Sequence, residues 1–220
     1  MCGTKVTILL LLFINFAETK LQNGFDTSFS AVTVATFKKF KTAGYTFYVQ
    51  RIGRTNEQVD ATGLTNLKNA YDAGFTDVGA YIWPCAHQCK YTASQQVTNV
   101  INALQYKNIT INTLWLDIEP GYWPIPLNTT YNTKFLNDMA NTAESAGYNI
   151  GIYTRKPYWE PIMGYHFTDY AQYPLYWNRY TGHADLTNGW ENFGGWTQPY
   201  SRQWDQNHRE FGVDFNPIVK

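Results

Sequence analysis

Thr113-Leu114-Trp115-Leu116-Asp117-Ile118-Glu119-Pro120-Gly121 reads as a strand that ends in a pair of acids. Side chains alternate faces along an extended chain. Leu114, Leu116 and Ile118 therefore share one apolar face, and Trp115, Asp117 and Glu119 share the other. The apolar face can pack beneath helices. The opposite face suits the interior of a parallel barrel, with both acids at the C-terminal strand end, where barrel enzymes collect their reactive groups.

Outward from this strand, short apolar runs alternate with amphipathic stretches. The βαβα order implies a parallel sheet with helices outside. Strands are expected at residues 21–26, 45–51, 77–83, 113–119, 149–154, 174–180, 194–197 and 201–204. Helices are expected at 31–43, 64–73, 94–106 and 131–146, the first capped by Gly44, the second by Gly74 and the last by Gly147. Eight strands favour a closed barrel over an open sheet. The expected fold is a single-domain, irregular α/β barrel of the TIM type, with short or missing helices in its C-terminal part.

The 220 residues fit one domain, with no linker, repeat or low-complexity segment. Lys plus Arg equal Asp plus Glu at 17 each, so the chain offers no basic face for nucleic acid. Aromatic residues make up 17%, a surplus that suits stacking on sugar rings as well as barrel packing. Residues 1–17 read as a signal peptide, with Lys5, an apolar run to Phe16 and a small residue at Ala17. That run is too short for a typical membrane span. Residues 18–220 would form the mature barrel, secreted or stored in a lysosome-like vacuole, without a membrane partner and monomeric. The sequons at Asn108 and Asn128 fit that route as glycosylation sites. Cys85 and Cys89 would form a local disulfide in an oxidising compartment; a metal site with the intervening His87 is the alternative, disfavoured for want of a fourth ligand.

Asp117 and Glu119 resist joint ionisation in a low-dielectric mouth, so one of them should hold a proton near neutral pH. Glycoside cleavage needs such a proton donor, and also a negative group to stabilise the positive sugar ring. An Asp-x-Glu triplet by itself reads more readily as a cap of the next helix. Two further acids change that reading. Asp26 ends the first strand, and Asp214 lies in Gly212-Val213-Asp214-Phe215-Asn216 near the C-terminus. In a closed barrel the last strand lies beside the first, which would bring both to the same mouth.

These stretches, with Gly24-Phe25-Asp26, Gly79-Ala80-Tyr81, Gly151-Ile152-Tyr153-Thr154, Pro174-Leu175-Tyr176-Trp177, Gly194-Gly195-Trp196 and Gln203-Trp204, span nearly the whole chain. In their order and spacing the chain resembles glycoside hydrolase family 25, the muramidases that cut peptidoglycan after N-acetylmuramic acid, and within it the branch found in amoebae and nematodes. The resemblance implies Glu119 as general acid/base and Asp117 as the group that orients the substrate N-acetyl or acts as nucleophile. It gives Asp26 and Asp214 a part in shaping the catalytic floor. Tyr81, Tyr153, Tyr176, Gln203 and Trp204 would bind substrate. It implies bacterial peptidoglycan as partner, with no cofactor and no metal, and net retention through the substrate's own acetamido oxygen. Leu175-Tyr176-Trp177-Asn178 departs from the family's usual Leu-Trp, aliphatic or Tyr, then Ala.

The loop over residues 120–126 is stiffened by prolines, and its Trp123 either walls a cleft or pins the loop to the barrel. Trp83, before Pro84, is expected to pack in core or loop. Arg155 and Lys156 could meet carboxylates on peptide stems, with a solvated surface as the expected role. Loss of residues 1–17 removes Lys5 and leaves a formal charge of −1. Peptidoglycan is often anionic, so binding should rely on the cleft, and a mildly acidic optimum is expected. The competing functions are a chitin-type hydrolase and a non-catalytic glycan-binding barrel.

Overall fold

The computed structural model describes residues 20–124 and 127–220. The leader read at residues 1–17 lies outside the described residues, as do Ile125 and Pro126 of the proline-rich loop. The elements run β1 (Asn23–Thr27), α1 (Val34–Thr42), β2 (Tyr45–Gly53), α2 (Ala61–Asp72), β3 (Asp77–Ile82), α3 (Ala93–Tyr106) and β4 (Leu114–Asp117). They continue with α4 (Thr129–Ser145), β5 (Ile150–Thr154), α5 (Lys156–Met163), β6 (Leu175–Asn178), β7 (Ser201–Gln203), β8 (His208–Glu210) and β9 (Val213–Val219). The helices start on side-chain caps where the sequence offers them. Thr33, Asp60, Thr92 and Asn128 each accept a backbone N–H of the first turn.

Strands β1 to β7 pair in order and in parallel, and β9 closes the barrel between β7 and β1. The closure differs from the all-parallel expectation, because β9 is antiparallel to both neighbours. A two-residue hairpin turns the chain back. Glu210 pairs with Val213 across Phe211 and Gly212, both at positive φ (51° and 82°), the turn whose twist matches paired strands. A run of only three β8 residues therefore precedes the closing strand. The expected strand at 194–197 is absent. Gly194 and Gly195 sit at φ 56° and 84°, so the chain makes a turn there, with Phe193 bridged to Trp196. Trp196 is buried against Trp159. Helices thin out after β5: α5 is the last, as the weakening periodicity implied.

The main core lies between strands and helices, where Leu114, Leu116 and Ile118 are fully buried. A smaller cluster fills the barrel interior: Phe47 and Val49 from β2, Trp115 from β4, Tyr176 from β6 and Ile218 from β9, with Tyr81 and Tyr153 against it. Glycine makes room for this floor. A Cβ on Gly151 would stand 2.4 Å from the Trp115 ring, and one on Gly24 would meet Phe47 at the same distance. The floor ends below the C-terminal strand ends, and a groove opens above it.

Candidate active site

Regular pairing of β4 ends at Asp117, two residues short of the expected limit, yet the backbone stays fixed. Ile118 N–H donates to Tyr153 O at 2.9 Å, and Thr154 Oγ1 donates to Ile118 O at 2.7 Å. Glu119 is thus held on the same face as Asp117, about 6.6 Å farther along the strand direction. The groove has a volume of about 640 Å³. Asp26, Asp117 and Glu119 line it, with Tyr81, Tyr153, Tyr176 and Gln203 around them.

The three acids have different surroundings. Asp26 is buried and accepts from Tyr176 Oη at 2.6 Å and from Asn216 Nδ2 at 2.9 Å. Burial nevertheless pushes its carboxyl up to about 7, against those two bonds. Asp117 is 2% exposed, and its Oδ1 has no hydrogen-bond partner among the described residues. Burial, then the charges of Glu119 and Asp26, push it well above the usual carboxylate range, with Arg51 opposing. Glu119 is half-buried and accepts from Asn178 Nδ2 at 2.9 Å. Burial raises it too, while Arg155 and the Asn178 bond favour its charged form. Asp117 and Glu119 oppose each other's ionisation, and their surroundings split them: Glu119 accepts from Asn178, whereas Asp117 Oδ1 has no partner among the described residues.

Asp214 does not join them. Its side chain is 63% exposed and paired with Arg209 at 2.6 Å. The register explains this. Asp26 lies opposite Asn216, so Asp214 sits one strand repeat farther on, in the β8–β9 hairpin beyond the barrel rim. Asn216 occupies the place beside Asp26 that the sequence reading gave to Asp214. Trp204 also lies apart from the groove lining; its ring meets His208 edge-on at 5.5 Å. Gln203 lines the groove and accepts from Tyr153 Oη at 2.5 Å.

Several groove residues escaped the sequence reading. Arg51 is its buried cation, with Nη2 donating to Ser28 O and Asp60 Oδ2 and the guanidinium 4.1 Å from the Phe29 ring centre. Its signal was strand parity with Phe47 and Val49, which point inward. Tyr180 follows β6, which ends two residues short of its expected limit, Asn216 lies within β9, which the sequence reading did not place, and Asn178, the partner of Glu119, stood out only as a departure from the family pattern. Trp83 lines the groove, edge-on to Tyr122, rather than packing only in the core. Trp123 pins its loop: it is buried, donates from Nε1 to Glu119 O at 2.9 Å and packs on Phe135. Cys85 and Cys89 are joined as a disulfide, which removes the thiolates that the metal alternative required. Among the described residues no group of three His, Cys, Asp or Glu side chains is placed to hold a metal ion, and no helix is long and apolar enough to cross a membrane.

The family model described as Lysozyme-like protein 1 matches residues 17–204. A Caenorhabditis elegans protein, "Lysozyme-like protein 5", is 36% identical over 90% of this chain and 89% of its own length. "Probable GH family 25 lysozyme 2" of Dictyostelium discoideum is 32% identical over 96% of each. Among solved structures, a family GH25 lysozyme from Aspergillus fumigatus superposes with a TM-score of 0.69 at 21% identity, over 90% of this chain and 93% of that one.

Proposed function

The chain belongs to the family 25 glycoside hydrolases, the lysozymes, and from that premise we propose that it cleaves the β-1,4 bond between N-acetylmuramic acid and N-acetylglucosamine in bacterial peptidoglycan. The observation that carries this reading is the pairing of Asp117 and Glu119 in one groove with aromatic walls. Glu119 is the proton donor to the leaving glycosidic oxygen. Asp117 accepts a hydrogen bond from the acetamido N–H of the sugar beside the scissile bond.

That bond assigns the shared proton. Among the described residues Asp117 Oδ1 has no donor, and burial makes its charge costly. A substrate N–H aimed at Asp117 favours its carboxylate and moves the proton to Glu119, where the chemistry needs it. The glycosidic C–O bond then breaks as Glu119 protonates its oxygen. The acetamido oxygen closes on the anomeric carbon, and its developing positive charge faces the Asp117 carboxylate. Water, deprotonated by Glu119, reopens that ring with net retention. Asp26 fixes Tyr176 and Asn216 in the groove wall. The chain acts as a monomer in this reading and needs no cofactor.

The compartment is part of the proposal. The Cys85–Cys89 bridge and the exposed sequon residues Asn108 and Asn128 support export, with residues 1–17 as leader. Asn128 caps α4 through Oδ1, which leaves Nδ2 free for a glycan.

Digestion of purified peptidoglycan, followed by reduction of the new chain ends and sugar analysis, tests the specificity. Reduced muramic acid is expected. Reduced glucosamine would instead support the chitin-type reading.

A further inference from the structure

A second cavity, of about 740 Å³, is lined by Arg155, Lys156, Glu160, Trp177, Arg179 and Glu191, among others. It is built in part from residues that directly follow β5 and β6. Arg155 follows β5, whose Tyr153 lines the groove, and its charge reaches Glu119. Arg179 directly follows Asn178, the partner of Glu119. We propose that this cavity is a subsite for the acidic peptide stems of peptidoglycan, with Arg155 and Arg179 binding their carboxylates. The inference rests on the muramidase reading and adds a substrate determinant to it.

The ion pairing points this way. Lys156 is taken up by Glu191 at 2.8 Å, so these two lining charges neutralise each other. Neither Arg155 nor Arg179 forms an ion pair among the described residues, and the other acid of the lining is Glu160. The Arg155 guanidinium lies 4.0 Å from the Tyr158 ring centre and donates to the Tyr158 hydroxyl, which holds it in place. Its Nε is buried without a hydrogen-bond partner among the described residues. Arg179 is exposed and lies beside Gly189, where a Cβ would stand 3.2 Å from its Nε. Planar guanidinium groups bind carboxylates in a fork, and two of them flank one concavity.

The groove holds three acids and one cation, Arg51, so it offers the stem carboxylates no second guanidinium. The stem branches from the sugar adjoining the scissile bond, so it emerges beside Glu119, where Arg155 stands.

The test uses the full chain and three forms of a defined peptidoglycan oligosaccharide: with free-carboxylate stems, with amidated stems and without stems. The wild type should show a KM about fivefold lower for free than for amidated stems, the effect of one partly exposed charge-assisted pair. Arg179→Gln should shrink that difference, Arg155 holding what remains, and leave kcat on the stem-free glycan unchanged. Equal KM values for free and amidated stems in the wild type, or an undiminished preference in Arg179→Gln, would overturn the subsite. Failure to cut any of the three would sink the muramidase reading instead. Calorimetry with the isolated stem peptide then decides the cavity: tighter binding of the free-carboxylate form, weakened in Arg179→Gln, supports it, and equal binding of both forms refutes it.

Discussion

Asn178 donates its side-chain N–H to Glu119 Oε1 at 2.9 Å, while its own Oδ1 is buried without a partner among the described residues. Asn178 is fully buried at the end of β6, so the amide is fixed where Glu119 must gain and lose its proton. A donor to a carboxylate favours its charged form.

Asn178→Ala should therefore raise the affinity of Glu119 for its proton. The alkaline limb of the pH–rate profile, which reports loss of the acid, is expected to move to higher pH. Maximal turnover should fall roughly tenfold as Glu119 loses its orienting bond. A lower kcat with an unmoved alkaline limb would show that Asn178 acts through packing alone.

Asp26 predicts a pH dependence of stability. Its carboxyl stands at about 7 in the fold against 3.8 for an ordinary aspartate. A raised folded value means that the folded state keeps a proton which the unfolded chain has lost. This contribution is full below about pH 4 and is lost as pH rises to 7, a difference on the order of 4 kcal/mol for this group. Asp117 is raised as well and works in the same direction. The melting temperature should thus fall between pH 5 and pH 8, with a shallower fall in Asp26→Asn. An equally steep fall in that variant would remove Asp26 as the cause.

Gly151→Ala probes the floor. The added methyl would stand 2.4 Å from the Trp115 ring and 3.1 Å from Pro174 O, in a filled interior. Overpacking of this kind costs about 1–3 kcal/mol. Displacing Trp115, which meets Tyr176 edge-on, should also lower turnover, since Tyr176 holds Asp26. Chemical denaturation measures the first effect and steady-state kinetics the second. An unchanged midpoint would show that the floor has room to yield.

The barrel was legible because its strands obey strict alternation. Leu114, Leu116 and Ile118 went to the helices, and Trp115 and Asp117 to the interior, as parity requires. The closing strand was not legible. Its direction depends on a hairpin at Phe211-Gly212, which lacks the Asn-Gly or Asp-Gly signal, and Asp214 was placed without knowing its register. Gly194-Gly195 resembled a strand start, yet both residues hold positive φ, which no apolar pattern reveals. Arg51 and Asn178 belong to the site through side-chain contacts between distant strands, and local spacing does not encode those.

Turnover of a bacterial cell-wall suspension by the wild type and by Glu119→Gln tests the central claim most directly. Glutamine keeps the size of the side chain and an oxygen for Asn178, but it cannot deliver the proton. The wild type should clear the suspension, and the variant should be slower by about 10²–10⁴-fold at every pH. A Glu119→Gln protein that clears it at near wild-type speed, with its fold intact, would contradict the account.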